Sequence, residues 1–128
     1  AASLAVDVES ETGLPVGHSG LTEENLCVEL PRASLLVNTT TVGMYPSIGT
    51  SLVAAVHMRP GLTVCDIVYN PRETMLLRQA REGGAIAVEG VEMLIGQGAL
   101  AFELWTGVPA PVDVMRAAVY EELAGAAH

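Results

Sequence analysis

No lysine occurs among the 128 residues: the six basic side chains are all arginines, Arg32, Arg59, Arg72, Arg78, Arg81 and Arg116, set against 15 acidic ones. A net charge of −9 leaves no basic face for a phosphate backbone, which argues against nucleic acid as a partner. Cysteine is scarce too. Cys27 and Cys65 form no Cys-x-x-Cys and sit beside no paired histidines, so neither a zinc site nor a disulfide framework is indicated, and both are expected to be buried or inert thiols. His18, His57 and His128 stand alone and read as surface or loop residues. No apolar run approaches the ~20 residues of a membrane span, and no charged-then-apolar signal opens the chain. A reducing, cytoplasmic setting is the expectation.

What is present points to a packed α/β domain. Half of the residues are apolar and 16% are charged, which excludes a disordered tail. Leu4, Ala5 and Val8 are spaced for a short helix over Ala1–Ser10 that stops at Thr12-Gly13. Leu14–Val16 reads as a brief strand. Gly17–Gly20 reads as a turn rather than a phosphate cradle, because no strong strand precedes it. Thr22 is placed to cap a helix whose first turn holds Glu23 and Glu24.

Three compact apolar runs then follow, Ser34–Asn38, Thr63–Val68 and Ala85–Val88, each with the character of a buried parallel strand. A helix is expected between the last two, over Glu73–Arg81, with Met75, Leu76, Leu77 and Ala80 as its apolar stripe and Gly83-Gly84 as its stop. Further helices are expected over Glu92–Trp105, ending at Gly107, and over Pro111–Leu123, with Val112, Met115, Val119 and Leu123 facing inward. This alternation makes the fold an open parallel α/β sheet with flanking helices. Ligands of such sheets bind beyond the carboxyl ends of the strands, which puts Asn38–Thr41, Tyr69-Asn70 and Glu89-Gly90 on one edge.

Several residues on that edge and on the helix after it are candidates for chemistry. Gln97 shares a helical face with Met93, Leu94, Leu100, Ala101 and Leu104, so its amide is expected inside an apolar stripe. Buried there it needs a partner, either a nearby backbone group or a ligand. Tyr69 should project its phenol at a strand end, as a packing aromatic or as a ligand contact. Asp66, inside an apolar strand, reads as a hydrogen-bonded structural carboxylate. Glu92 and Glu103 are expected to be solvated.

Four strings carry a family resemblance: Val37-Asn38-Thr39-Thr40-Thr41-Val42-Gly43-Met44-Tyr45-Pro46, Asp66-Ile67-Val68-Tyr69-Asn70-Pro71, Glu89-Gly90-Val91-Glu92-Met93-Leu94-Ile95-Gly96-Gln97-Gly98-Ala99, and Ala101-Phe102-Glu103-Leu104-Trp105-Thr106-Gly107. In order and spacing they resemble the C-terminal half of shikimate dehydrogenases, firmly from about Leu35 to Leu123. The resemblance implies an incomplete Rossmann-like sheet. The chain would be the C-terminal portion of a dinucleotide-binding domain, with residues 92–124 as C-terminal helices, and with the N-terminal substrate domain, the Gly-rich phosphate turn and the Asn-Arg-Thr segment lying outside it.

By the same resemblance the intact enzyme reduces 3-dehydroshikimate to shikimate with NADPH. Tyr69 and Gln97 would touch the substrate, Ile67 and Gly90 the nicotinamide end of the cofactor, and Asn38 and Thr39 the cofactor edge. The family's acid–base pair, a Lys and an Asp, belongs to the first domain, and no lysine here can replace it. Glu92 departs from the family's common Gly-x-Gly-Met form. An NAD-dependent quinate/shikimate dehydrogenase and a non-catalytic α/β module are the alternatives.

Overall fold

The computed structural model describes residues 1–125, so the expectation for His128 lies outside the described residues. The chain divides into two compact units, 1–32 and 33 onward. The first holds two helices. Helix α1 (Ala2–Thr12) ends where Gly13 takes the left-handed conformation, at φ 68°, and its N–H donates to the Glu9 carbonyl. Helix α2 (Glu23–Glu29) starts at Thr22, whose hydroxyl accepts from the Asn25 N–H. Leu14–Val16 is not a strand. Pro15 has no N–H to give a ladder, and Leu14 is exposed.

The second unit carries the sheet. Strands β1 (Leu35–Asn38), β2 (Thr63–Asp66) and β3 (Ile86–Glu89) pair in parallel in the order β1-β2-β3. Register lines up Leu35, Thr63 and Ile86 across the sheet with Thr63 in the middle, and likewise Asn38, Asp66 and Glu89. Helix α3 (Met75–Glu82) covers one face by burying Leu76, Leu77 and Ala80, with Val64 fully buried in the strand beneath. The other face is not buried as expected. Leu35 and Ile86 remain 56% and 62% exposed, and Val37 and Val88 are exposed as well. Sequence runs of this kind assume cover on both faces, and the described chain supplies it firmly on one.

Helix α3 begins with its apolar stripe at Met75, two residues later than the expected start at Glu73. Thr74 is the cap, its hydroxyl accepting from the Leu77 N–H, so Glu73 stays outside. Helices α4 (Gly90–Thr106) and α5 (Val112–Gly125) pack on each other, joined by a turn that Gly107 opens at φ 71°. Val112, Met115, Val119 and Leu123 are the half-buried face of α5, as their spacing predicts. Glu92 does not simply face water. It accepts from the Arg116 guanidinium at 3.0 Å and from the Tyr120 hydroxyl at 3.0 Å, tying α4 to α5. Glu103 accepts from the Ala110 N–H and closes the turn.

No helix among the described residues is long and apolar enough to cross a membrane. Cys27 is exposed rather than buried. Cys65, half-buried in β2, has its thiol pKa pushed up by burial and by neighbouring Asp66.

Candidate ligand site at the strand ends

Strands β1 and β2 run parallel and in register, so the loops leaving their carboxyl ends lie side by side. Between them is a cavity of about 370 Å³, lined by Thr40, Thr41, Met44 and Tyr45 from the first loop and Ile67, Val68, Tyr69 and Asn70 from the second. Both loops close on cis-prolines, Tyr45-Pro46 and Asn70-Pro71. The volume suits a small ring-bearing ligand, and the lining mixes apolar residues with two threonines and two tyrosines.

One buried network sets the shape of these walls. Asp66, with no exposed surface, accepts through Oδ1 from the Asn38 amide at 2.9 Å and from the Val68 N–H at 3.1 Å. Its Oδ2 accepts from the Thr74 hydroxyl at 2.7 Å. Asn38 in turn accepts from the Thr40 N–H at 3.0 Å and from its hydroxyl at 2.8 Å, and donates to the Val42 carbonyl. The structural reading of Asp66 therefore holds: three neutral donors satisfy its carboxyl group.

Of the six expected contact residues, the structure brings Ile67 and Tyr69 together in the cavity wall. Tyr69 also lines a second recess with Leu94, Ala118, Val119, Glu122 and Leu123, so its ring stands between the strand ends and the α4–α5 pair. Asn38 is buried, and its amide is spent on its own loop and on Asp66. Thr39 is exposed and absent from the cavity wall, whereas Thr40 and Thr41 are in it. Gly90 meets its own chain. A Cβ there would lie 2.5 Å from the Asp66 carbonyl oxygen and 2.7 Å from Ile67, so glycine lets α4 start against the end of β2.

Gln97 departs most from expectation. The buried face of α4 is Val91, Ile95 and Ala99, and Gln97 is exposed. Its Nε2 donates to the Leu94 carbonyl one turn back, at 3.0 Å. Met93, Leu100 and Leu104 of its apolar stripe are exposed with it, while Leu94 and Ala101 are half-buried. Because α4 is apolar nearly all round, periodicity cannot tell which stripe meets the sheet.

Met44 and Tyr45 were missed as wall residues. Their signal was available in the Gly-Met-Tyr-Pro turn directly after a strand end, a place where side chains overhang the sheet edge.

Beside the cavity, a charged cluster steadies the second loop. Arg72 bonds Glu89 at 2.7 Å and lies over the Tyr120 ring, and Arg81 also bonds Glu89. The Arg72 guanidinium is held above its ordinary pKa, mainly by the hydrogen bond to Glu89. Together these contacts fix Pro71 and its neighbours to β3 and α5.

Comparison with known proteins bears on the fold and the family. The family described as Shikimate 5'-dehydrogenase C-terminal domain matches residues 90–120. Shikimate dehydrogenase (NADP(+)) of Methanosarcina barkeri is 50% identical over 123 residues, covering 96% of this chain and 40% of that protein. The crystal structure of shikimate 5-dehydrogenase from Listeria monocytogenes, in complex with shikimate and NAD, superposes with a TM-score of 0.86 at 34% identity. It covers 92% of this chain and 42% of the other. Quinate dehydrogenase from Corynebacterium glutamicum, in complex with NAD, gives 0.83 at 30% identity, over 94% of this chain and 42% of the other. The chain thus spans about 40% of the length of the relatives it matches. Over nearly its whole length this chain is similar in sequence and in fold to shikimate dehydrogenases, and residues 90–120 match the C-terminal domain of that family.

Proposed function

We propose that this chain is the dinucleotide-side part of an enzyme that reduces 3-dehydroshikimate to shikimate with NADPH. The observation that carries the reading is the cavity at the ends of β1 and β2, with Ile67 and Tyr69 in one wall, in a chain half identical to a shikimate dehydrogenase. The cavity has room for a nicotinamide ring and apolar surface to hold it, but not for a whole dinucleotide. The phosphate end of the cofactor, the first domain and its Lys–Asp pair would come from the rest of the protein. We place that protein in the cytoplasm, as its two unpaired thiols suggest.

In this reading the nicotinamide, once bound, supplies the hydride. Ile67 flanks the ring, and Thr40 supplies a hydroxyl at the cavity wall, in place of the expected direct roles of Asn38 and Thr39. Gly90 acts by letting β2 and α4 approach. Tyr69 offers its phenol to the substrate from the strand end. Gln97 offers its amide from α4, through the Oε1 and the second N–H that the bond to Leu94 leaves available to a ring hydroxyl. These residues bind and orient; the proton is moved by groups outside this chain.

The test is turnover by the purified full-length protein that carries this segment. NADPH oxidation matched by shikimate formation is expected; no turnover of 3-dehydroshikimate with either NADPH or NADH would overturn the reading and leave a non-catalytic module. The 128-residue chain alone is expected to be inactive, since it has no lysine to transfer the proton. A second reading, an NAD-dependent quinate/shikimate dehydrogenase, draws support from the likeness to the Corynebacterium enzyme. A preference for NAD and quinate in the full-length protein would select it.

A further inference from the structure

We propose that Asp66 is a positioning residue that ties both walls of the strand-end cavity to a single carboxyl oxygen, so that the two walls are held and released together. The second wall hangs on it directly: the Val68 N–H, between Ile67 and Tyr69, donates to Oδ1. The first wall hangs on it through one intermediary. Asn38 donates to the same Oδ1 while its own Oδ1 anchors both the N–H and the hydroxyl of Thr40. The Thr40 hydroxyl then accepts from the Val42 N–H, which carries the order around the turn.

The other carboxyl oxygen has a separate task. It accepts from Thr74, whose hydroxyl also caps α3, and this sets the carboxyl plane from the helix side. Asp66 and Thr74 have no exposed surface and Asn38 has little, so water cannot substitute for a lost partner without entering the packed layer. The consequence is a division of labour within one residue, with Oδ1 serving the cavity and Oδ2 serving the fold. The coupling stands on geometry alone. Its kinetic consequence rests on the reading of the cavity as a cofactor site.

Three variants separate the tasks. Asp66→Ala removes both oxygens. Asp66→Asn keeps one oxygen for Asn38 and Val68 and turns an amide toward Thr74. Asn38→Ala cuts the first wall from the hub and leaves Val68 attached.

Amide hydrogen exchange in the 128-residue chain reads the coupling, with Val64 inside β2 as the reference for global opening. Asp66→Ala is expected to speed exchange at Thr40 and Val68 together, by about tenfold or more relative to Val64. Asn38→Ala is expected to speed Thr40 alone, and Asp66→Asn neither. The proposal is overturned if Asp66→Ala frees Val68 but not Thr40, or if Asp66→Asn is as disruptive as Asp66→Ala. Should Asp66→Ala fail to fold, Asn38→Ala decides: selective loss at Thr40 supports the hub, and equal change at Thr40 and Val68 overturns it.

In the full-length protein, Asp66→Ala is expected to lower kcat/KM about 10- to 100-fold with a raised KM for NADPH, and Asp66→Asn to recover most of that. A merely structural Asp66 would reduce the fraction of active enzyme and leave KM unchanged. If the unmodified full-length protein turns over neither cofactor, the functional reading fails while the exchange experiment still judges the hub.

Discussion

At the carboxyl ends of β1 and β2, Asp66, Asn38, Thr40 and Thr74 satisfy one another, and the cavity walls have one hydrogen-bonded arrangement. On the outer face of α4 the situation is reversed. Gln97 bonds only its own helix, amid exposed Met93, Leu100 and Leu104, the last 82% exposed. The first region is preorganised by this chain, and the second presents a surface whose polar group can be recruited by something else. A site assembled from both would owe its rigid half to the strand ends and its adaptable half to the helix.

The contrast can be broken first through stability. Leu77→Ala, beneath the sheet, is expected to cost about 2–5 kcal/mol, because the residue is fully buried between α3 and the strands. Leu104→Ala on α4 is expected to stay within about 0.5 kcal/mol. Chemical denaturation of both variants checks the pair, and similar losses would show that the outer face of α4 is covered in solution.

Activity gives the next test. In the full-length protein, Gln97→Leu should fold normally and lose about 10- to 1000-fold in kcat/KM, the scale of one lost bond to a positioned substrate plus misalignment. Unchanged kcat/KM would leave Gln97 as a helix residue satisfied by the Leu94 carbonyl. Tyr69→Phe should weaken substrate binding by about tenfold and spare NADPH affinity, since the ring keeps its place in the wall of the recess it shares with Leu94 and Val119. Parallel losses in both affinities would make Tyr69 a structural residue.

The smallest effect concerns pH. Glu92 is held below the ordinary glutamate pKa, first by its hydrogen bond from Arg116 and then by that from Tyr120. A carboxylate whose pKa is depressed by folding contributes stability above its unfolded pKa and loses it as pH falls through the folded one. The α4–α5 contact should therefore weaken below the usual glutamate range. Glu92→Gln should flatten that part of the Tm profile, and because the pair is exposed the change should be smaller than that of Leu77→Ala. A Tm profile unaltered by the substitution would remove Glu92 from the account.

Much of this was legible in order and type. Thr22 and Gly13 mark helix ends through local chemistry, and β1, β2 and β3 announce themselves as compact apolar runs. The strand-end edge followed from parallel topology, and Ile67 and Tyr69 do line the cavity found there. Thr39 and Thr40 could not be told apart in a run of three threonines, because the choice depends on which hydroxyl reaches Asn38. Gly90 was legible as a strand-end residue by topology, whereas its close approach to Asp66 and Ile67 is visible only in the fold.

The sequence by itself determined the three strands and the helices of the second unit, their parallel α/β class, the strand-end edge where the cavity lies and the acidic, lysine-free composition. Each of these rests on local periodicity, capping or composition, which a short window of residues contains. Tertiary structure alone decided that Asp66 joins two loops 28 positions apart in origin, that Glu92 clamps α5, and that α4 buries Val91, Ile95 and Ala99 rather than the Gln97 stripe. Those outcomes depend on which distant groups meet. On a helix apolar on every side, only packing against a particular neighbour selects the buried face.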